Sequence, residues 1–227
     1  PVEGRASQTV AVKDAKPAPS MVLKLVGTTP LELRQTNVSN AKFTISWTTN
    51  SAVTGWIEYG TSATSLTPVY DVRGSAVVSR THYVSVSGLT SSTPYYYDVI
   101  SGGQRDNNNG LHYRVTTGPP PPTVPGTDAI YGEVLRSNGT TPAEGAIVYI
   151  TTSGAQVLSS LVESSGYWNV NLGEIRTADL SAFFTYTVTT MLSVTAEGGP
   201  VDGRASRIVA VNSAKPAPSM VLGFTVP

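Results

Sequence analysis

Residues 41–49 read AKFTISWTT, and the reading of this stretch decides the fold. Phe43, Ile45 and Trp47 alternate with Thr44, Ser46 and Thr48, the period of two that puts apolar side chains on one face of a β-strand. The pattern recurs on both sides. GWIEYG (55–60) places Ile57 and Tyr59 together, and HYVSVSGL (82–89) places Val84 and Val86 together. From Leu31 to Thr117 these are expected to be half-buried strands of an all-β sandwich. Charged residues make up 13% of the 227, about half the usual share, and the abundance of Gly and Pro fits strands and turns.

Within this region GLTSSTPYYYDV (88–99) sets Leu89 six residues before Tyr95, with Tyr97 and Val99 continuing inward. With Trp47 in the second strand, the stretch resembles a fibronectin type III domain over about 28–118. The resemblance implies a corner in which the Tyr95 hydroxyl bonds back to the backbone, with Trp47, Leu89 and Tyr95 in the core. Ser91-Ser92 stands where that family often has Pro-Gly. A similar domain precedes the catalytic domain of purple acid phosphatases, but such a metal centre needs clustered His, Asp and Asn ligands. This chain has only His82 and His112, each in a strand-like run and read as structural. The loop SGGQRDNNNG (101–110) lacks the later acidic ligands of a calcium loop and reads as a solvated turn.

GPPPPTVPG (118–126) follows; its prolines favour an extended polyproline segment, so 119–126 is expected to be a semi-rigid spacer between two domains. Beyond it the pattern changes. AIYGEVLRSNGTTPAEGAIVYITTSG (129–154) and LVESSGYWNVNL (161–172) combine an Asn138-Gly139 turn, Pro-Ala-Glu-Gly-Ala before a strand, and Trp168 leading into another. These stretches resemble the carboxypeptidase regulatory-like, transthyretin-related sandwiches, as in prokaryotic cell-surface repeat proteins. The resemblance implies a second sandwich over 127–227 with Trp168 in its core. FFTYTVTTMLSVTAEGG (183–199) is expected to be a long strand or hairpin.

The two ends of the chain carry nearly the same text. PVEGRASQTVAVKDAKPAPSMVL (1–23) and PVDGRASRIVAVNSAKPAPSMVL (200–222) agree at 18 of 23 positions, differing at Glu3/Asp202, Gln8/Arg207, Thr9/Ile208, Lys13/Asn212 and Asp14/Ser213. Each copy reads as a short strand, a turn and an extended edge segment. Pro17 and Pro19 place both missing N–H groups on one side, so one edge pairs and the other does not. The second copy is expected to close the second sandwich. For the first copy three accounts stand: the tail of a preceding unit in a tandem array, an arm that docks on another subunit by strand donation, or a segment that pairs with its twin inside one chain. The expected assembly contacts are Val10, Val12, Pro17, Pro19, Met21, Val22 and Leu23, with Val209, Val211, Met220 and Leu222 in the twin.

Other function classes find little footing in the sequence. Fifteen basic and 15 acidic residues, without a block of either sign, give no electrostatic footprint for nucleic acid. No apolar run approaches the ~20 residues of a membrane-spanning helix. Absent cysteines exclude a disulfide framework and suit an extracellular or cell-surface setting reached without oxidative folding. No G-x-S-x-G elbow, phosphate loop or His-Glu-x-x-His pattern occurs, so neither an enzyme nor a cofactor is expected. Between Thr127 and Ala214 there is no lysine for the usual Lys–Asn isopeptide cross-link of related surface domains. Pro1 is not an initiator residue, so a processed product or a piece of a longer chain is expected. Asn37-Val38-Ser39 and Asn138-Gly139-Thr140 are glycosylation sequons. Trp56, on the strand face opposite Ile57 and Tyr59, is a candidate glycan-stacking platform beside Tyr83 or Tyr113. The leading expectation is a structural repeat unit of a filament, sheath, surface layer or adhesin stalk whose partners are copies of itself. The alternative is a carbohydrate- or protein-binding accessory module of a secreted protein.

Overall fold

The computed structural model describes residues 26–124 and 126–224. The chain is all-β, with fifteen strands, a single one-turn α-helix and four short 3-10 turns among the described residues. β1 (Leu31–Thr36), β2 (Lys42–Val53), β3 (Gly55–Ser62), β4 (Ser65–Tyr70), β5 (Ser79–Ser87), β6 (Pro94–Ser101), β7 (Gln104–Asp106) and β8 (Tyr113–Thr116) build the first sandwich. One sheet runs β1-β2-β5; the other runs β4-β3-β6, with β7 and β8 both on the far edge of β6. β7 and β8 are thus one strand interrupted at 107–112, where Asn108, Asn109 and His112 take positive φ. The polar stretch expected as one turn is therefore divided between a Gly102-Gly103 hairpin and this outward excursion.

Phe43, Ile45, Trp47, Ile57, Val84, Val86, Tyr95, Tyr97 and Val99 fill the first core, with Leu89 packed at its margin. The Tyr95 hydroxyl accepts the Thr90 N–H at 2.9 Å, the corner that the resemblance implies. Trp47 stacks on His82 at 4.8 Å and donates from Nε1 to Ser101 Oγ at 2.9 Å. Gly55 exists for this ring: a Cβ there would lie 2.3 Å from His82 Nδ1. Wholly buried, with Nδ1 unpartnered, His82 has its pKa pushed down to about 4 by desolvation. The unfolded chain binds this proton near pH 6.5 and the folded one only near pH 4. The associated stability is complete above about pH 6.5 and falls by about 3 kcal/mol as the pH drops to 4. In urea titrations across that window, His82→Gln should flatten the pH dependence; an unchanged slope would assign it elsewhere.

β9 (Ala129–Leu135), β10 (Ile147–Thr151), β11 (Leu158–Leu161), β12 (Tyr167–Asn171), β13 (Met191–Glu197), the one-turn α1 (Gly199–Asp202), β14 (Arg204–Ala210) and β15 (Met220–Val221) form the second sandwich. Its sheets are β11-β10-β13-β14 and β12-β9-β15, closed on a separate core in which Trp168 is buried. Only Met191–Glu197 of the long strand expected from Phe183 is a strand. Ahead of it the chain folds on itself: Phe184 N–H bonds Ile175 O, Thr187 and Thr190 close a turn, and Phe184 and Tyr186 pack on the core.

The expectation of a spacer between separated sandwiches is corrected. Gly118 N–H bonds Ser39 O, Pro119 O accepts from Arg176, and the outer face of β1-β2-β5 lies directly on the outer face of β11-β10-β13-β14. Four sheets are stacked. β2 is consequently buried on both faces, Phe43, Ile45 and Trp47 toward one side and Thr44, Ser46 and Thr48 toward the other.

Candidate assembly interface

The C-terminal copy occupies a definite place. β14 pairs antiparallel with β13 along its whole length, Val209 opposite Leu192. A turn at Val211–Ser213 then carries the chain across to the other sheet. There Tyr131 N–H bonds Ala214 O and Ala217 N–H bonds Tyr131 O, after which β15 runs parallel to β9 with Met220 opposite Val134. Exposed Pro216 and Pro218 flank the one N–H that pairs, which is the one-sided edge their spacing implies. Finally Gly223 exchanges both backbone bonds with Arg204, so the segment's end returns to its start. This close pass needs Gly203, whose φ is 75° and whose missing Cβ would meet Gly223 O at 2.4 Å. One segment thereby closes an edge of both sheets.

It also fills the space between them. Val209, Val211, Ala214, Ala217, Met220 and Leu222 are six of the 21 buried residues in this core. Full burial of Val209, Val211, Met220 and Leu222 alone contributes roughly 6–12 kcal/mol, comparable with a domain's whole net stability. Expected at an assembly contact, these four instead lie inside their own sandwich, because a strand that bridges two sheets must turn its apolar side inward. Val10, Val12, Pro17, Pro19, Met21, Val22 and Leu23 lie outside the described residues.

The differences between the copies sort by exposure. Arg207, Ile208, Asn212 and Ser213 are exposed, Ile208 by 72%, and Asp202 is half-buried, where its pair with Arg136 (2.7 Å) suits a glutamate equally. Every buried position of the C-terminal copy, Gly203, Val209, Val211, Ala214, Ala217, Met220 and Leu222, carries the same residue in the N-terminal one. Polar groups that anchor the segment are kept too: Arg204, which pairs with Glu197 and with Glu32 of the first sandwich, Lys215, which pairs with Asp128, and Ser219, which donates to Glu133. The Arg204 guanidinium beside Glu32 holds that carboxyl below the ordinary range.

A second interface, between the sandwiches, packs Tyr83 against Ile147 and Tyr149 and surrounds them with hydroxyls and one amide. Asn37 Nδ2 donates to Tyr83 Oη (3.0 Å), Ser159 O (3.1 Å) and Thr44 Oγ1 (3.2 Å), while its Oδ1 accepts the Ser159 N–H at 2.9 Å. Around it Thr36 meets Ser159 at 2.6 Å, Ser46 meets Tyr149 at 2.9 Å and Thr81 donates to Gly145 O at 2.7 Å. Arg34 lies over the Tyr149 ring at 4.5 Å, and burial pushes the Tyr149 hydroxyl up to about 12. A glycan on Asn37 would displace these bonds, so the sequon expectation there is corrected; Asn138 stands exposed in a turn. Trp56 packs 6.2 Å from Tyr70, whereas Tyr83 is buried between the sandwiches and Tyr113 stacks on Tyr97 at 5.3 Å, so the platform expected beside Tyr83 or Tyr113 does not form. His112 Nδ1 contacts Asp98 at 2.7 Å. Among the described residues no three His, Asp or Glu side chains are grouped to hold a metal.

No known family model matches the chain, and no curated protein does. Among solved structures, the chicken CNTN1 FN1-FN3 domains align with a TM-score of 0.29 at 11% identity, covering 85% of this chain. The chain spans 65% of that structure's length.

Proposed function

We propose that the chain is a structural unit of an extracellular or cell-surface assembly, in which fibronectin type III-like and carboxypeptidase regulatory-like sandwiches pair into one body and bodies are joined through the duplicated segment. What carries the reading is the agreement between substitution and burial: five changes, none at a buried position. Residues that fill a core tolerate change poorly, whereas solvent-facing ones vary freely. The N-terminal copy therefore has the residues of a core-filling segment, and on this body its place is already taken by 200–222. Residues 1–23 close a second sandwich of the same kind, either that of a preceding unit in a tandem chain or that of another copy.

Deleting residues 1–23 tests this. Sedimentation velocity should show self-association of the parent and its loss in the deleted chain, with melting temperatures alike. A parent that stays monomeric confines the joint to covalent tandem linkage. Association that survives the deletion contradicts any role for the segment.

A further inference from the structure

A cleft of about 320 Å³ opens between the two sandwiches, at the small end of the ~300–1,000 Å³ range of small-ligand sites. Arg176 lines it and is 99% buried (1% exposed). Its Nε donates to Ala182 O at 3.1 Å, and its Nη2 donates to Pro119 O at 3.1 Å and to Leu180 O. Phe183 covers the guanidinium at 5.2 Å. No carboxylate bonds this charge among the described residues, the exposed Asp179 acting on it only through space, and Nη1 has no hydrogen bond there. A cation withdrawn from water with only neutral hydrogen-bond partners is costly, and arginine does not escape by deprotonating. Near it Lys42 and Glu174 pair at 2.5 Å, so Arg176 is the one charged side chain on the cleft wall without an ion pair among the described residues. The side-chain amides of Asn40 and Asn169, also on the wall, have no partners among the described residues.

We propose that this cleft binds a sugar that bears a carboxylate, a uronic acid unit of an acidic polysaccharide. Arg176 meets the carboxylate, Asn40 and Asn169 meet ring hydroxyls, and Phe183 offers an apolar surface to the sugar's C–H face. A neutral sugar would leave the buried guanidinium without a hydrogen-bonded counter-ion, and a bare inorganic anion would leave both amides unused. The proposal does not depend on how the bodies assemble.

Calorimetric titration of the full chain with trigalacturonate and with a glucuronate-containing tetrasaccharide tests it, with galactotriose as the neutral control and an oligo-glutamate as the peptide control. At least one uronate should bind saturably, about 10-fold or more tighter than galactotriose. Asn169→Ala should weaken that binding by about 3-fold or more without changing the melting temperature. Arg176→Gln should remove it, with folding checked by amide spectra because Arg176 also holds the 180–182 backbone. Absence of saturable uronate binding overturns the proposal, as does equal binding of galactotriose or tighter binding of oligo-glutamate. Unchanged affinity in an Asn40→Ala, Asn169→Ala double variant overturns the location.

Discussion

Replacing Leu222 by Asp should unfold the second sandwich. The substitution removes a side chain that is 2% exposed and puts a carboxylate into the space between the sheets, beside Met220 and the backbone pass at Gly198–Gly203. Loss of the apolar contacts costs about 2–5 kcal/mol, and an unpaired buried carboxylate adds several more or takes up a proton. Together they rival the roughly 5–15 kcal/mol by which a domain is stable. Thermal melts followed by near-ultraviolet circular dichroism should lose the Trp168 signal. The same change at the matching position of the first copy, Leu23→Asp, should leave the melt within about 0.5 kcal/mol of the parent while suppressing association. Equal damage from both substitutions would mean that both copies serve the same body.

Asn37→Ala should uncouple the sandwiches. One side chain joins β2 and β5 to the Ser159 backbone, and its loss leaves the Ser159 N–H without its partner, while the Tyr83 hydroxyl keeps its bonds to Ser159. Removing one partner of a buried hydrogen bond costs about 1–3 kcal/mol per stranded group, so with one stranded group a loss of roughly 1–3 kcal/mol is expected. The parent should unfold in one calorimetric transition and the variant in two. A single transition at the parent's temperature would show that Asn37 contributes little to the coupling.

The two cores were readable because period-two alternation of large apolar residues survives any context: Phe43, Ile45 and Trp47 point where the pattern puts them. So were the tyrosine corner and the closing role of residues 200–222, since a spacing and a repeat both register in sequence. The four-sheet stack was hidden by chemistry. Thr44, Ser46, Thr81 and Ser159 look like solvent-facing positions, because buried hydroxyls leave no apolar signature, and Ile147 and Tyr149, which meet Tyr83 there, read as core of their own sandwich. The one hint was that the polar face of β2 from Thr44 to Thr48 carries hydroxyls and no charge. The prolines at 119–122 suggested separation, but a polyproline segment fixes local conformation and not what its flanks touch. Arg176 gave no signal, because its burial depends on backbone carbonyls from 119 and 180–182 that only the fold brings together.

Interchangeability of the two copies is tested most directly by writing the first into the place of the second. A full chain carrying Asp202→Glu, Arg207→Gln, Ile208→Thr, Asn212→Lys and Ser213→Asp has residues 200–222 identical to 1–23. All five positions avoid the core, so its melting temperature should lie within about 3 °C of the parent's. A fall of more than about 10 °C would show that the N-terminal copy does not fit this kind of groove.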